Sequence, residues 1–171
     1  MLVLALAFLG MAWAAPRATY RHHGNVLLPD SQVTPGAIRT TDAADSVVCG
    51  DGIHKRQSTK KYRHTTTAMK KAVCAAYGVK DCPKQNAMEL DHLLPLEIGG
   101  KDEVGNLWVQ PAPDYHFKDD LENKLRAMVC KTHELTLPEA QQCIMSDWAA
   151  CYEKQIGPLP DELPKGTSGA K

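Results

Sequence analysis

The sequence lacks a net charge, a C-x-x-C pair and any internal repeat. Lysine plus arginine number 20, and aspartate plus glutamate also number 20, so the global charge indicates neither a nucleic-acid nor a membrane partner. The missing C-x-x-C excludes the ligand spacing of zinc ribbons. After the first residues, no apolar run is long enough to cross a membrane. The 171 residues fit one compact domain with less ordered ends.

The first residues lack any Lys or Arg and form an apolar run that closes on Ala-Trp-Ala-Ala. This run is too short to span a bilayer comfortably, and its small residues are typical of a cleavage site. We therefore predict a secretory signal peptide over residues 1–15, with an uncleaved membrane anchor as the alternative. The mature protein is predicted to be secreted or periplasmic, with no membrane partner.

Six cysteines follow the predicted signal, and an even number there favours disulfides. Cys143 and Cys151 are eight residues apart in one predicted helix, which separates them by roughly 12 Å if the helix is straight. They are then not expected to bond each other. Cys74 and Cys82 flank a Tyr-Gly turn and could pair. In that case Cys49 and Cys130 would each take one of the other two, although free buried thiols remain an alternative.

Residue patterns predict an α+β fold in a mainly helical, disulfide-stabilised domain. Residues 16–45 show little periodicity and are predicted to form a loose arm, and residues 157–171 a flexible tail. The domain itself is assigned to residues 46–156. Helices are predicted from residue 67 to the stop at Gly78, from Asp114 to about residue 130, and from a capping box at Thr136 onward.

Two short strands are predicted between the first and second of these helices. Residues 88–96 are apolar but are interrupted by Asp91 and His92, and residues 106–109 read as a second strand. A glycine pair, Gly99-Gly100, marks a turn in the roughly ten-residue connection. Together with the helix after Asp114, this order predicts a hairpin followed by a helix.

Four polar residues of this unit have side chains suited to phosphodiester chemistry. Asp91 and His116 could hold a hard or borderline divalent cation through one carboxylate oxygen and one imidazole nitrogen. Neutral His92 can take a proton from water near physiological pH. Asn106 has both donors and acceptors, which suits it to pin the loop that positions His92.

The stretch DHLLPL at residues 91–96, the glycine pair, NLW at 106–108 and HFKDDLE at 116–122 resemble the HNH endonuclease family. The resemblance covers residues 89–129. Within this family, the chain is similar to a secreted or phage-associated subgroup, and this similarity extends upstream to residues 34–36 and 62–65. It implies a small ββα-metal finger, in which a two-stranded hairpin lies on a helix around one divalent metal ion (Mg, Mn, Ni or Zn).

The resemblance also implies a role for each matching residue. His92 would be the general base, Asp91 a metal ligand, Asn106 the central asparagine and His116 the second ligand. The chain departs from the family pattern because the ninth residue after the asparagine is Tyr115, so His116 comes one position late. Further along the same helix face, a carboxylate could supplement or replace His116; the candidates are Asp119 and Asp120.

A basic segment precedes the hairpin and is the predicted nucleic-acid contact. Residues 54–71 contain seven Lys or Arg and no acid, and positive charge beside a phosphodiester-cleaving centre favours approach of the backbone. The predicted contacts are Arg56, Lys60, Lys61 and Arg63. No base-reading element is present, so the expected activity is metal-dependent endonucleolytic hydrolysis of DNA with low sequence specificity, with RNA left open.

Each of these residues also has a plainer interpretation. An Asp-His pair in an apolar strand is often a hydrogen-bonded structural pair, and a basic run is often a solvated face. Glu122 could be an i,i+4 partner of Arg126. The alternative function is a non-catalytic nucleic-acid-binding protein, or an extracellular interaction protein, that retains the hairpin-helix finger.

Overall fold

The computed structural model describes residues 17–50, 56–80, 88–112 and 114–160. Its strands are β1 (Arg21–His23), β2 (Val26–Leu28), β3 (Met88–His92) and β4 (Leu107–Pro111). Its α-helices are α1 (Thr67–Ala76), α2 (Asp114–Ala127), α3 (Leu137–Ser146) and α4 (Trp148–Gln155). The strands form two separate antiparallel pairs, β1 with β2 and β3 with β4. The α+β fold class is confirmed.

The β3–β4 pair is the centre of the molecule, and its register sets the positions of the polar residues. Asp91 lies opposite Trp108, and His92 lies opposite Leu107. Trp108 is fully buried, helix α2 contacts β4, and Leu121 and Leu125 of α2 are buried in the same core as Trp108. The polar end of β3 is therefore attached to a rigid apolar layer.

The segment predicted as a loose arm forms the β1–β2 hairpin instead. Gly24 takes a positive φ of 54° in its two-residue turn, which is the backbone conformation that such hairpin turns require. Val26 and Leu28 are buried in the core. The prediction of a loose arm is wrong for residues 21–28, because burial against the rest of the fold stabilises a hairpin that is too short to show periodicity, whereas residues 29–45 form no helix or strand.

Helix boundaries follow the capping signals in the sequence. Helix α1 begins after Thr66, whose side chain accepts a hydrogen bond from the Met69 amide, and Gly78 after its end has a φ of 71°. The predicted capping box is present, with Thr136 and Glu139 bonded reciprocally. These helix starts and the stop near Gly78 are confirmed.

The last predicted helix is broken at Asp147, and this break corrects the predicted cysteine pairing. Asp147 is extended (φ −161°, ψ 99°), and its side chain caps α4 by accepting from the Ala150 amide at 2.9 Å. The corner brings the Cα atoms of Cys143 and Cys151 to 5.4 Å, and the two residues form a disulfide. The straight-helix distance did not apply because the chain turns between them.

A second disulfide joins Cys49 to Cys130, with a Cα–Cα distance of 5.3 Å. The predicted cross-pairing of these two residues with Cys143 and Cys151 is therefore wrong. Cys74 is also disulfide-bonded, whereas Cys82, its predicted partner, lies outside the described residues, as do the predicted signal peptide and the tail beyond residue 160. The cross-links are typical of proteins from oxidising compartments.

The two disulfides should differ in how much they stabilise the fold. The Cys49–Cys130 bond closes a loop with a sequence separation of 81, and the Cys143–Cys151 bond one of 8. Loop-closure entropy gives about 4–5 kcal/mol for the first and about 2–3 kcal/mol for the second. Urea unfolding of the two double Cys→Ala variants measures the difference, and equal losses or the reverse order would contradict this explanation.

A histidine clamp between β1 and α4 should make stability depend on pH. His23 Nδ1 lies 3.0 Å from Asp147 Oδ2, and Nε2 lies 3.2 Å from Glu153 Oε2. Its hydrogen bond to Asp147 is the main reason that the His23 pKa is raised above 6.5; partial burial opposes the shift, and the charges of both carboxylates support it. The contribution of this interaction to the free energy of unfolding is therefore fully present below pH 6.5, and it is lost as the pH rises through the raised pKa of His23 in the folded protein.

Unfolding of His23→Gln compared with wild type between pH 5 and pH 9 tests this clamp. We expect a deficit of about 1 kcal/mol or less at low pH, which shrinks as the pH rises. His22→Gln, on the exposed side of the same strand, is the matched control and should show no such trend. A deficit that is independent of pH would assign His23 a packing role only.

Candidate functional site

The candidate site is a cleft at the carboxyl end of β3. The cleft has a volume of about 180 Å³, and its lining includes Arg63, Asp91, His92 and Glu122. Strand β3 ends at His92, and the Leu93 amide then donates to the carbonyl oxygen of residue 106 at 2.8 Å. Neighbouring side chains on a regular strand point to opposite faces, so the strand end is what lets Asp91 and His92 line one cleft.

His92 is held in this cleft by Asp102, a residue of the β3–β4 loop. The residue is only 3% exposed, and its Nε2 lies 2.8 Å from Asp102 Oδ1. Burial lowers the pKa of His92 below its usual value, against the raising effect of the carboxylates Asp102 and Asp91. His92 is therefore neutral at physiological pH.

Asp102 is an ionised acceptor with several donors around it. Its carboxylate accepts hydrogen bonds from the His64 amide and from Thr65 Oγ1, the latter at 2.8 Å. Burial alone would raise the Asp102 pKa, but the hydrogen bonds from His92, Thr65 and His64 hold it below its usual value. Since a carboxylate only accepts, neutral His92 must carry its proton on Nε2, which leaves the Nδ1 lone pair as its base.

Asn106 pins the loop between β3 and β4 from the inside. It is fully buried, and its Oδ1 accepts from the Leu94 amide at 2.9 Å and from the Ala37 amide at 3.3 Å. Its Nδ2 donates to the carbonyl oxygens of Leu94 (2.8 Å) and Lys101 (2.9 Å). Asn106 thus joins the backbone at Leu94, just after His92, to the loop segment at Lys101 that precedes Asp102.

The glycine pair lets this loop close. Gly99 has a φ of 86°, and a Cβ at Gly100 would collide with the Leu94 carbonyl oxygen. Gly100 also forms an isolated antiparallel bridge with Ile38. The predicted turn is therefore a close backbone approach that only glycine fits.

Asp91 is paired with a buried lysine of α2. Lys118 is fully buried, and its Nζ lies 2.6 Å from Asp91 Oδ2 and 2.7 Å from the His92 carbonyl oxygen. It also contacts Glu122 Oε1 one helical turn later. Burial disfavours the ammonium, but its attraction to Asp91 and Glu122 outweighs that effect and raises the Lys118 pKa. Lys118 is therefore a fixed positive charge.

Further carboxyls crowd the same region. Burial and the charges of Asp91 and Asp119 raise the pKa of Glu89 to about 7. Burial likewise raises the pKa of Glu122 and of Asp119, with the Asp91 charge adding to both. This region contains more carboxyl groups than the single ammonium of Lys118 can neutralise, so it carries excess negative charge. The raised pKa values mean that protonation of some carboxyls relieves part of this charge.

The structure does not bring His116 to Asp91. Two residues along an α-helix correspond to a rotation of about 200°, and Lys118 is the residue that faces Asp91. His116 therefore lies on a different face of α2 from Lys118; it is exposed, and its ring centroid is 4.2 Å from that of Tyr115, with the ring planes tilted by 54°. Asp120, four residues later, shares that exposed face, whereas Asp119 lies close enough to interact with Asp91 electrostatically.

These residues do not fit the metal site that the resemblance implies. The Asp91 carboxylate is paired with an ammonium, and its predicted co-ligand His116 is exposed, two helix positions before Lys118. Within residues 17–50, 56–80, 88–112 and 114–160, no group of three or more His, Cys, Asp or Glu side chains could hold a metal ion. A bound Mg, Mn, Ni or Zn ion thus stays a prediction from the sequence.

The predicted basic contacts fall into two groups. Arg63 lines the cleft beside His92, and Lys60 and Lys61 are exposed next to it. Arg56 instead donates to the Val47 carbonyl oxygen at 3.1 Å and approaches Glu97 at 4.0 Å. Its role is therefore partly structural.

Sequence reasoning missed Asp102 and Lys118 and interpreted Glu122 differently. Glu122 pairs with Lys118 rather than with Arg126, which reaches Glu97 at 3.6 Å. The i,i+4 spacing of Lys118 and Glu122 was a usable signal. A general-base histidine also needs an orienting partner, but spacing alone could not select Asp102 among the acids of the loop.

Removing the Asn106 amide should destabilise the whole fold. Asn106→Ala leaves the buried backbone groups of Leu94 without partners, and each unsatisfied group costs about 1–3 kcal/mol. We expect a total loss of about 2–5 kcal/mol in urea unfolding. Asn123→Ala, at an exposed position on α2 with one hydrogen bond to its own helix, is the control and should stay within about 0.5 kcal/mol. A small loss for Asn106→Ala would contradict the pinning role.

No family model, curated protein or solved structure matches the chain. Within the described part of the chain, no helix is both long and apolar enough to cross a membrane. The chemistry of the cleft rests on its own contacts: a neutral histidine oriented by an ionised aspartate, beside an arginine.

Proposed function

We propose that the protein is a secreted or periplasmic endonuclease that hydrolyses phosphodiester bonds of DNA with low sequence specificity. The observation that carries the proposal is the cleft in which His92, oriented by Asp102, lies beside Arg63. An imidazole whose Nε2–H is held by a carboxylate has its Nδ1 lone pair as the base, and such a base is suited to activate water. A nearby guanidinium is suited to bind a phosphate.

The proposed step begins with a water molecule between His92 and the phosphate. His92 Nδ1 takes a proton from this water, and the oxygen attacks phosphorus. The new P–O bond forms as the bond to the leaving sugar oxygen breaks, and the leaving oxygen is protonated from solvent. Asp102 holds the imidazole in the Nε2–H tautomer and stabilises the imidazolium that forms.

Arg63 supports binding of the phosphate, and Lys60 and Lys61 extend the positive surface beside it. Arg63 can donate two parallel hydrogen bonds to non-bridging oxygens, which fixes the phosphate as well as attracting it. The lysines would add sequence-independent attraction to the neighbouring phosphates. This arrangement favours backbone contacts over base contacts, which is why we propose low sequence specificity.

We assign the proposed step to protein groups alone, and the pairing of Asp91 with Lys118 supports this choice. The resemblance implies a divalent ion, yet Asp91 is paired with Lys118 and His116 lies exposed on a different face of α2. His92, Asp102 and Arg63 are therefore the groups to which we assign the chemistry.

A second candidate function is nucleic-acid binding without catalysis. The pairing of Asp91 with Lys118 favours it, because this carboxylate is engaged in a structural ion pair. The basic surface of Arg63, Lys60 and Lys61 would then bind the DNA backbone, and the cleft would be inert.

Plasmid nicking by the purified, oxidised protein tests the proposal. The assay is run with Mg²⁺, Mn²⁺, Ni²⁺ or Zn²⁺ and with a chelator. We expect His92→Ala to lose about 10²–10⁴-fold in rate and Asp102→Asn about 10–100-fold. His22→Ala, an exposed histidine in β1, should match the wild type.

Two results would contradict the nuclease proposal in different ways. Nicking that persists in His92→Ala excludes His92 as the base. If the wild type never nicks DNA but still shifts it in a gel, and Arg63→Ala reduces the shift, the second candidate is favoured instead.

A further inference from the structure

The ammonium of Lys118 lies in a cage of three oxygen atoms. We name as the oxygen cage Asp91 Oδ2, the His92 carbonyl oxygen and Glu122 Oε1, which all contact Lys118 Nζ. An ammonium has three donors, so each donor has one acceptor. Lysine is almost never fully buried without such partners, and Lys118 is 0% exposed.

The composition of the oxygen cage is that of a site for a hard cation. Two carboxylates and one carbonyl are the oxygen ligands that Mg²⁺, Mn²⁺ and Ca²⁺ prefer. Here they converge on one point from two different elements, the end of β3 and the middle of α2. The chain thus supplies its own cation at a place where its oxygens could hold a metal ion.

The oxygen cage is directly connected to the cleft. Asp91, His92 and Glu122 each contribute one cage oxygen and also line the cleft. Without Lys118, the negative charge of Asp91 and Glu122 would lose the ammonium that offsets part of it where an anionic phosphate must enter, and charge repulsion would oppose phosphate binding more strongly. Lys118 also ties the His92 backbone to α2, so it fixes the position of the imidazole.

We propose that the Lys118 ammonium takes the place of a divalent cation in the oxygen cage, as a positioning residue. In the wild type the cage then binds no metal ion, and the cleft needs none there. Removal of the ammonium should open the cage to a divalent ion. The link to hydrolysis rests on the proposed function, whereas the cation preference of the cage does not.

Mn²⁺ binding followed by electron paramagnetic resonance tests the proposal directly. We expect Lys118→Ala to gain one Mn²⁺ site per chain, with a Kd at least tenfold tighter than any binding by the wild type. The site should disappear in Lys118→Ala/Asp91→Asn. The matched control is Lys124→Ala, at an exposed position on the same helix, and it should gain no site.

Circular dichroism with and without Mn²⁺ accompanies this measurement, because the variant leaves two partly buried carboxylates together without their ammonium. If Lys118→Ala unfolds alone and folds on addition of Mn²⁺, the proposal is supported. Failure to gain a site, or failure to refold with Mn²⁺, overturns it. Mn²⁺ binding by the wild type that Asp91→Asn abolishes also overturns it.

The nicking assay separates this proposal from the proposed function. We expect nicking by the wild type to survive the chelator and to be lost in His92→Ala. If nicking requires both a metal and Asp91, the Lys118 proposal is wrong and the nuclease assignment stands. If the wild type does not nick DNA at all, the nuclease assignment fails, and Mn²⁺ binding still decides the role of Lys118.

Discussion

The candidate site depends on the hydrogen bonds of one carboxylate, that of Asp102. It joins His92 at the end of β3 to the backbone of His64 and the side chain of Thr65, which follow the basic segment. These groups come from separate parts of the chain, and the His92–Asp102 pair, with each side chain 4% exposed, lies where hydrogen bonds to a charge are strong. The same contact orients the histidine and places Arg63 beside it.

The second constraint is the buried charge of Lys118. Burying an ammonium is costly unless its partners are close and all of its protons are used. Asp91, the His92 carbonyl and Glu122 meet both conditions. Such a pair contributes little net stability, but breaking it leaves an uncompensated charge, so it holds α2 in one position relative to β3. Asp102 and Lys118 thus fix His92 from its side chain and from its backbone.

The sequence predicted the parts of the fold that depend on local chemistry. The helix starts at Thr66 and Thr136 follow from hydroxyl caps, and the turn at Gly99-Gly100 follows from glycine. The long helix after Thr136 was predicted without its break, because Asp147 reads equally well as a helix interior residue and as a cap. That one extended residue makes the Cys143–Cys151 disulfide possible.

Asp91, His92, Asn106 and Arg63 were found as candidates from the sequence, and the structure brings Asp91, His92 and Arg63 to one cleft with Asn106 beneath the loop. Their chemical types and order along the chain were sufficient for that. The partners of these residues were decided by tertiary structure alone. The path of the loop decides that Asp102, and not another acid of that loop, contacts His92. The rotation of α2 decides that Lys118, and not His116, contacts Asp91. Contacts between residues far apart in sequence carry no local signal, because burial and helix rotation are set by the packing of the whole core.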